Sequence, residues 1–137
     1  MSNMHMSRGK RLTNDKWYIG YFTVSGADNA HFIRDHDDFP YQVDPDTIGK
    51  CTGLPAKESY RGKVPIDLLV FEGDLLKRDR CDMVFTVIWD AGGGRFLCVA
   101  KGSPDNYLMY VSDELHKYAT IIGNIHDNPE LLEVQND

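Results

Sequence analysis

Apolar residues in this chain fall in short runs separated by clusters of Gly, Pro, Asp, Asn and Ser, which is the punctuation of strands and turns. The longest nearly apolar run lies near the middle, Leu68-Leu69-Val70-Phe71-Glu72-Gly73-Asp74-Leu75-Leu76, and an acidic Glu72-Gly73-Asp74 knot breaks it. Leu68 to Phe71 has the pattern of an extended segment buried on both faces, although a run this short does not separate strand from helix by periodicity. The knot supplies turn residues, and Leu75-Leu76 opens a new strand. Whatever core forms, residues on both sides of the knot must enter it.

The same pattern places the other elements. Trp17 to Val24 is rich in aromatic and β-branched residues and reads as a strand. Gly20 inside it marks a bulge or a close backbone approach. Turn chemistry at Ser25 to Ala30 leads to a return strand, His31 to Arg34. Tyr41 to Val43 is short and extended, and Asp44-Pro45-Asp46-Thr47 is a turn with Pro at its second position. Ile48 to Leu54 is a strand interrupted by Gly49 and Gly53. Pro55 to Pro65 is a surface loop carrying Lys57, Arg61 and Lys63, and Lys77 to Arg80 is a charged loop. Met83 to Trp89 and Phe96 to Ala100 form a hairpin around Asp90 to Arg95. A turn at Lys101 to Asn106, a strand at Tyr107 to Val111, a helical turn at Asp113 to Lys117 capped by Ser112 and a last strand at Ala119 to Ile125 follow. Asn128-Pro129-Glu130-Leu131-Leu132 has an N-cap residue, then Pro at the first helical position, and predicts a short helix.

The pattern amounts to about seven to nine short strands with turn signals at roughly 8–12-residue spacing, as in an all-β barrel or sandwich. No internal repeat is present. Met1 to Asp15 reads as a flexible tail (residues 1–15) whose charge is concentrated in Arg8, Lys10 and Arg11. Residues 16–137 read as one domain with sub-regions of about 16–70 and 71–137.

Composition narrows the picture. At 137 residues, 42% of them apolar, the chain is long enough for one core without staples. Its 15 basic and 21 acidic side chains give a formal charge of −6. That counts against non-specific nucleic-acid binding, which relies on basic clusters, but leaves room for a local basic patch. No apolar run reaches membrane-spanning length, and Met1 to Lys10 lacks the apolar stretch of a signal peptide. Cys51, Cys81 and Cys98 are an odd, widely spaced set without zinc-ligand spacing, as expected of reduced thiols. These features predict a cytoplasmic location and no membrane association.

Three stretches invite chemistry. Asp35-His36-Asp37-Asp38, with His31 upstream, offers hard and borderline metal ligands, yet its spacing matches no ligand template and a solvated acidic loop is the favoured reading. Glu72 and Asp74 could act as an acid–base pair or hold Mg²⁺. A structural role is favoured, because Gly73 permits an unusual backbone angle and flanking carboxylates accept from loop N–H groups. Gly92-Gly93-Gly94 evokes a phosphate loop, but a strand follows where that motif needs a helix. No nucleophile, metal set or nucleotide loop emerges, so neither an enzyme nor a cofactor is expected.

Three segments taken together resemble the YopX family, small proteins encoded mainly by phages and prophages. They are Trp17-Tyr18-Ile19-Gly20-Tyr21; Val43 to Gly49 and Thr52-Gly53-Leu54, reaching Phe71-Glu72-Gly73-Asp74; and Ile121-Ile122-Gly123-Asn124-Ile125-His126-Asp127-Asn128-Pro129-Glu130-Leu131-Leu132. Their order and spacing over about residues 11–132 carry the resemblance. Pro55 to Leu69 is longer than the short turn usual there. The resemblance implies a mainly β fold with an N-terminal hairpin or sheet region, a small SH3-like β-barrel as its second half and one or two helical turns. It also implies self-association, and no established activity. On that reading Trp17, Gly20, Thr52, Gly53, Glu72, Gly73, Asp74, Gly123, Asn124, Asn128 and Pro129 are structural signature residues. The expected function is that of a non-enzymatic accessory protein in the bacterial host's cytoplasm, binding a host or phage protein or itself. The alternative is a single-stranded nucleic-acid-binding module, against which the net charge weighs. Exposed aromatics such as Tyr18, Tyr21, Tyr60 or Tyr107 are the candidate contacts.

Overall fold

The computed structural model describes residues 6–55, 69–80, 83–100, 108–110 and 115–133. Among them the chain is mainly β, with eleven strands, two 3₁₀ turns and one helical turn. The backbone divides at Gly53/Leu54 into two compact units. The sequence places a boundary near residue 70 instead, because the apolar run there is the more conspicuous break. Of the predicted loop from Pro55 to Pro65, Pro55 ends a strand; residues 56–65, with Lys57, Arg61 and Lys63, lie outside the described residues, as do Tyr60, Cys81, the turn at 101–106, Tyr107 and the Ser112 cap.

The first unit contains β1 (Ser7–Lys10), β2 (Trp17–Val24), β3 (His31–Arg34), β4 (Pro40–Gln42) and the start of β5 (Gly49–Pro55), in the order β4-β3-β2-β1-β5. All four pairings between neighbours in that order are antiparallel. The segment predicted as a flexible tail, residues 1–15, contains a paired strand. Ser7 to Lys10 form a strand between β2 and β5, with Ser7 opposite Gly20 and Lys10 opposite Trp17. No apolar side chain marks this strand, because its order comes from backbone pairing on both edges rather than from burial of its own side chains. Beyond β4, Arg11 bridges Val43 and the Asp44 N–H donates to the Lys10 carbonyl at 2.9 Å. The outer end of the sheet thus returns to β1, and the sheet curls over Ile33 and Val43, which are 0% and 1% exposed. The Asp44 to Thr47 turn is a 3₁₀ turn, with the Asp44 carboxylate accepting from the Asp46 N–H.

The second unit holds β6 (Leu69–Phe71), β7 (Asp74–Arg78), β8 (Val84–Asp90), β9 (Arg95–Ala100), β10 (Leu108–Tyr110), β11 (Ala119–Asn124) and α1 (Glu130–Glu133). Five of its strands make an antiparallel sheet in the order β10-β9-β8-β7-β11. Lys77 and Arg78, expected in a loop, extend β7 because the strand continues past its buried residues and both side chains face solvent. The core gathers Val70, Leu76, Phe85, Val87, Phe96, Cys98, Ala100, Leu115 and Ala119. Burying a side chain such as Phe85, 0% exposed, is worth about 2–3 kcal/mol. Leu69, Val70 and Phe71 are all buried, so both faces of β6 are covered, and Leu75 and Leu76 are 0% exposed across the knot. No helix of the described residues is long and apolar enough to cross a membrane.

Candidate functional site

Glu72 and Gly73 form the tight turn between β6 and β7, and Gly73 adopts φ +94°, which L side chains rarely tolerate. The Asp74 carboxylate turns inward. It is 2% exposed, and its Oδ2 accepts from the Phe71 N–H at 2.7 Å. Glu72 stands partly exposed on the turn. The two carboxylates therefore have different surroundings, and the Asp74 oxygen is engaged by backbone. Gly73 is tied at both ends: its N–H donates to the Val87 carbonyl at 2.8 Å, and its carbonyl accepts from the Ile125 N–H at 2.9 Å.

That last bond brings the third signature segment to the second. Asn124 pairs with Asp74 and Gly123 with Leu75, after a register shift that leaves Ile122 out of the ladder. Asn124 Oδ1 accepts from the N–H groups of His126 and Asp127 at 3.0 and 2.9 Å. Asn128 was expected to cap the helix after it. Its side chain instead reaches back, Oδ1 accepting from the Asn124 N–H at 3.2 Å, while its carbonyl accepts from the Leu131 N–H. The reason is reach: a Cβ on Gly123 would lie 2.5 Å from that Asn128 oxygen, so the bare glycine lets the amide close on the strand. Pro129 directly precedes α1.

In the first unit, Gly20 is a close approach: an added Cβ would sit 2.0 Å from the Arg34 carbonyl oxygen. Thr52 is buried, and the Gly53 N–H points to the Cys51 sulfur at 3.3 Å with φ +79°. Trp17 lies under the Arg8 guanidinium, 4.9 Å from its ring centroid.

Side chains directly opposite one another share a sheet face. On the inner, curled face Tyr18 stacks on Tyr41 at 4.1 Å, Phe39 meets Tyr41 at 4.8 Å, and Phe22 stacks on His31 at 5.6 Å. The Tyr18 phenol is held below its usual range, chiefly by the Asn14 amide donating to its oxygen at 3.1 Å. Tyr41 is raised, first by burial and then by the Asp35 carboxylate. The outer face holds Arg8 opposite Ile19, Lys10 opposite Trp17, Tyr21 opposite Arg34 and Thr23 opposite Phe32. Strands β1 to β4 contain no carboxylate at all. Sequence reasoning names Arg8 and Lys10 as a terminal cluster and does not bring them to Trp17. The available signal is the alternation of small and basic residues in Ser7-Arg8-Gly9-Lys10.

The acidic loop is occupied by its own backbone. Asp35 Oδ1 accepts from the N–H groups of Asp37 and Phe39, both at 3.0 Å, and its carboxyl lies below the usual range chiefly through the Phe39 bond. Among the described residues, no three His, Cys, Asp or Glu side chains come together as a metal-holding group.

A family model described as YopX protein matches residues 3–133. No curated protein matches the chain.

Proposed function

The chain belongs to the YopX family, and from that premise we propose that it is a phage- or prophage-encoded accessory protein. Its role is binding, not catalysis, and the surface it uses joins it to a second copy of itself in the cytoplasm of the host cell. The observation that carries this reading is where apolar surface is left open. Among the described residues, the exposed large apolar side chains are Leu12, Tyr21, Phe22, Val24, Phe39 and Ile88. All but Ile88 belong to the first unit. Phe22 at 42%, Val24 at 45% and Phe39 at 54% exposure lie on the aromatic face of one small sheet, which gives them a common direction of contact. Covering the open half of each ring would contribute roughly 1 kcal/mol or more. For the second unit we propose an SH3-like barrel, built from its five short antiparallel strands and the bulge in β11.

Light scattering on the purified protein tests the self-association. The expected mass is a multiple of one chain at tens of micromolar, falling toward one chain in a Phe22→Ser, Phe39→Ser variant. A monomer at high micromolar concentration overturns the reading.

A further inference from the structure

We infer that the outer face of the β1–β2–β3 sheet binds single-stranded nucleic acid. The three cations borne by these strands other than His31, namely Arg8, Lys10 and Arg34, share one face, alternating in register with Trp17, Tyr21 and Phe32. A single strand presents two things to a protein, a line of phosphates and a set of unpaired π-faces, and interleaved cations and aromatics match both. Tyr21 is 48% exposed, and Trp17, Phe32, Arg8, Lys10 and Arg34 are part-exposed, so the Tyr21 ring is where a base first reaches this face. The Arg8 guanidinium carbon lies 4.9 Å from the Trp17 ring centroid, so a cation and an aromatic ring already meet on this face. The strands supply no carboxylate to repel phosphate. The Asp38 carboxylate lies 3.5 Å from Arg34 on the loop after β3 and is 83% exposed. An exposed pair of that kind is worth little and yields to a phosphate. The aromatic patch assigned to self-association lies on the opposite face, so the two contacts are separable.

The test is a fluorescence titration of the full chain with an oligodeoxythymidylate of about 12 nucleotides at low salt, with an oligouridylate arm to separate DNA from RNA. It uses a Trp89→Phe background, so that Trp17 is the only indole. Binding should quench Trp17, and log K should fall with log salt at a slope of about −2 for three phosphate contacts. Arg8→Gln should reduce that slope by about 0.7, and Tyr21→Ala should weaken binding roughly tenfold. Asp38→Asn should strengthen binding by removing the negative charge beside Arg34, whose bond to the residue 38 carbonyl is retained, while Phe22→Ser, Phe39→Ser should leave it unchanged. Circular dichroism and melting establish that each variant is folded. No binding by the folded parent up to 100 µM protein (about the weakest non-specific range), binding without Trp17 quenching, or equal affinity for a duplex of the same length would each overturn the assignment.

Discussion

Asp74 carries a sharp quantitative expectation. Its carboxylate is 2% exposed and accepts from the Phe71 N–H at 2.7 Å, one residue away from a glycine at φ +94°. Asp74→Ala removes a charged acceptor and leaves a buried N–H at the end of β6. A hydrogen bond to a charged group contributes about 1.5–3 kcal/mol, and the relief of burying a carboxylate offsets part of its loss. The net cost is about 2 kcal/mol, or roughly 6–10 °C of melting temperature for a chain of this length. The chain has two units, so a single transition is an insufficient readout. Amide exchange at Phe71 is the local one: a 2 kcal/mol loss lowers its protection roughly 30-fold. Asp74→Asn keeps one oxygen acceptor and should lose about half as much. Glu72→Ala, on the part-exposed side of the turn, should cost less than about 1 kcal/mol. If Asp74→Ala melts within a degree of the parent and Phe71 stays protected, the carboxylate is not what holds the corner. If Glu72→Ala costs more than Asp74→Ala, the roles of the two acids have been exchanged.

Three other expectations come from separate parts of the molecule. Gly20→Ala would set a methyl group 2.0 Å from the Arg34 carbonyl and should cost roughly 2–4 kcal/mol in the first unit; an unchanged melt would mean that β2 and β3 separate freely there. The Cys98 thiol, 0% exposed and pushed up to about 12 by burial, has a thiolate fraction of roughly one in ten thousand at pH 8. In a Cys81→Ser variant, a thiol reagent at pH 8 should therefore find no fast-reacting group until denaturant is added, and rapid labelling of Cys98 in the folded protein would refute the packing around it. Asp35 has a folded-state carboxyl below its ordinary 3.8, so its stabilisation of the loop is fully present above about pH 3.8 and is lost as pH falls through the folded value. Carboxyl carbon shifts should titrate with a midpoint under 3.8, and a midpoint at or above it would mean that the Phe39 and Asp37 N–H bonds are not made in solution.

The parts of the fold legible in the sequence are those in which a strand declares itself by its own side chains. β2 with β3 and β8 with β9 carry aromatic and β-branched residues around Gly- and Asp-rich turns, and both hairpins form. β1 is illegible by that signal, because Ser7, Arg8, Gly9 and Lys10 have no apolar content and are ordered by partners elsewhere in the sequence, Trp17 to Gly20 on one edge and Gly49–Lys50, more than 40 residues away, on the other. The Asn128 side chain shows the limit of a local rule. An Asn before Pro is a good cap, but the glycine five residues earlier offers it a closer N–H, that of Asn124. The knot was legible as a turn, and its ties to Val87 and Ile125 were not, since no local pattern names a partner so far along the chain. For the sheet faces the missing information is register. Which of Arg8, Lys10 and Arg11 stands beside Trp17 depends on a pairing that a one-residue slip would invert.

Register also changes what the net charge of −6 means. Up to Gly53 the acids are Asp15, Asp28, Asp35, Asp37, Asp38, Asp44 and Asp46, and every one lies in a turn or loop. Several are engaged there: Asp28 accepts from the Ala30 N–H, Asp35 from Asp37 and Phe39, and Asp44 from Asp46. These are the positions where a short carboxylate substitutes for a missing backbone acceptor. Such a chain accumulates acid because it has many tight turns, whatever its partner is. The field that a ligand meets on the sheet is set by the charges within about 10 Å of it, since salt screens the rest. Among the charges that the described strands β1 to β3 place on the outer face are Arg8, Lys10 and Arg34, and Asp38 pairs with Arg34 at its margin. Residues 1–53 carry six Lys and Arg against these seven acids, so only −1 of the −6 arises there, and a basic face on this unit is no contradiction.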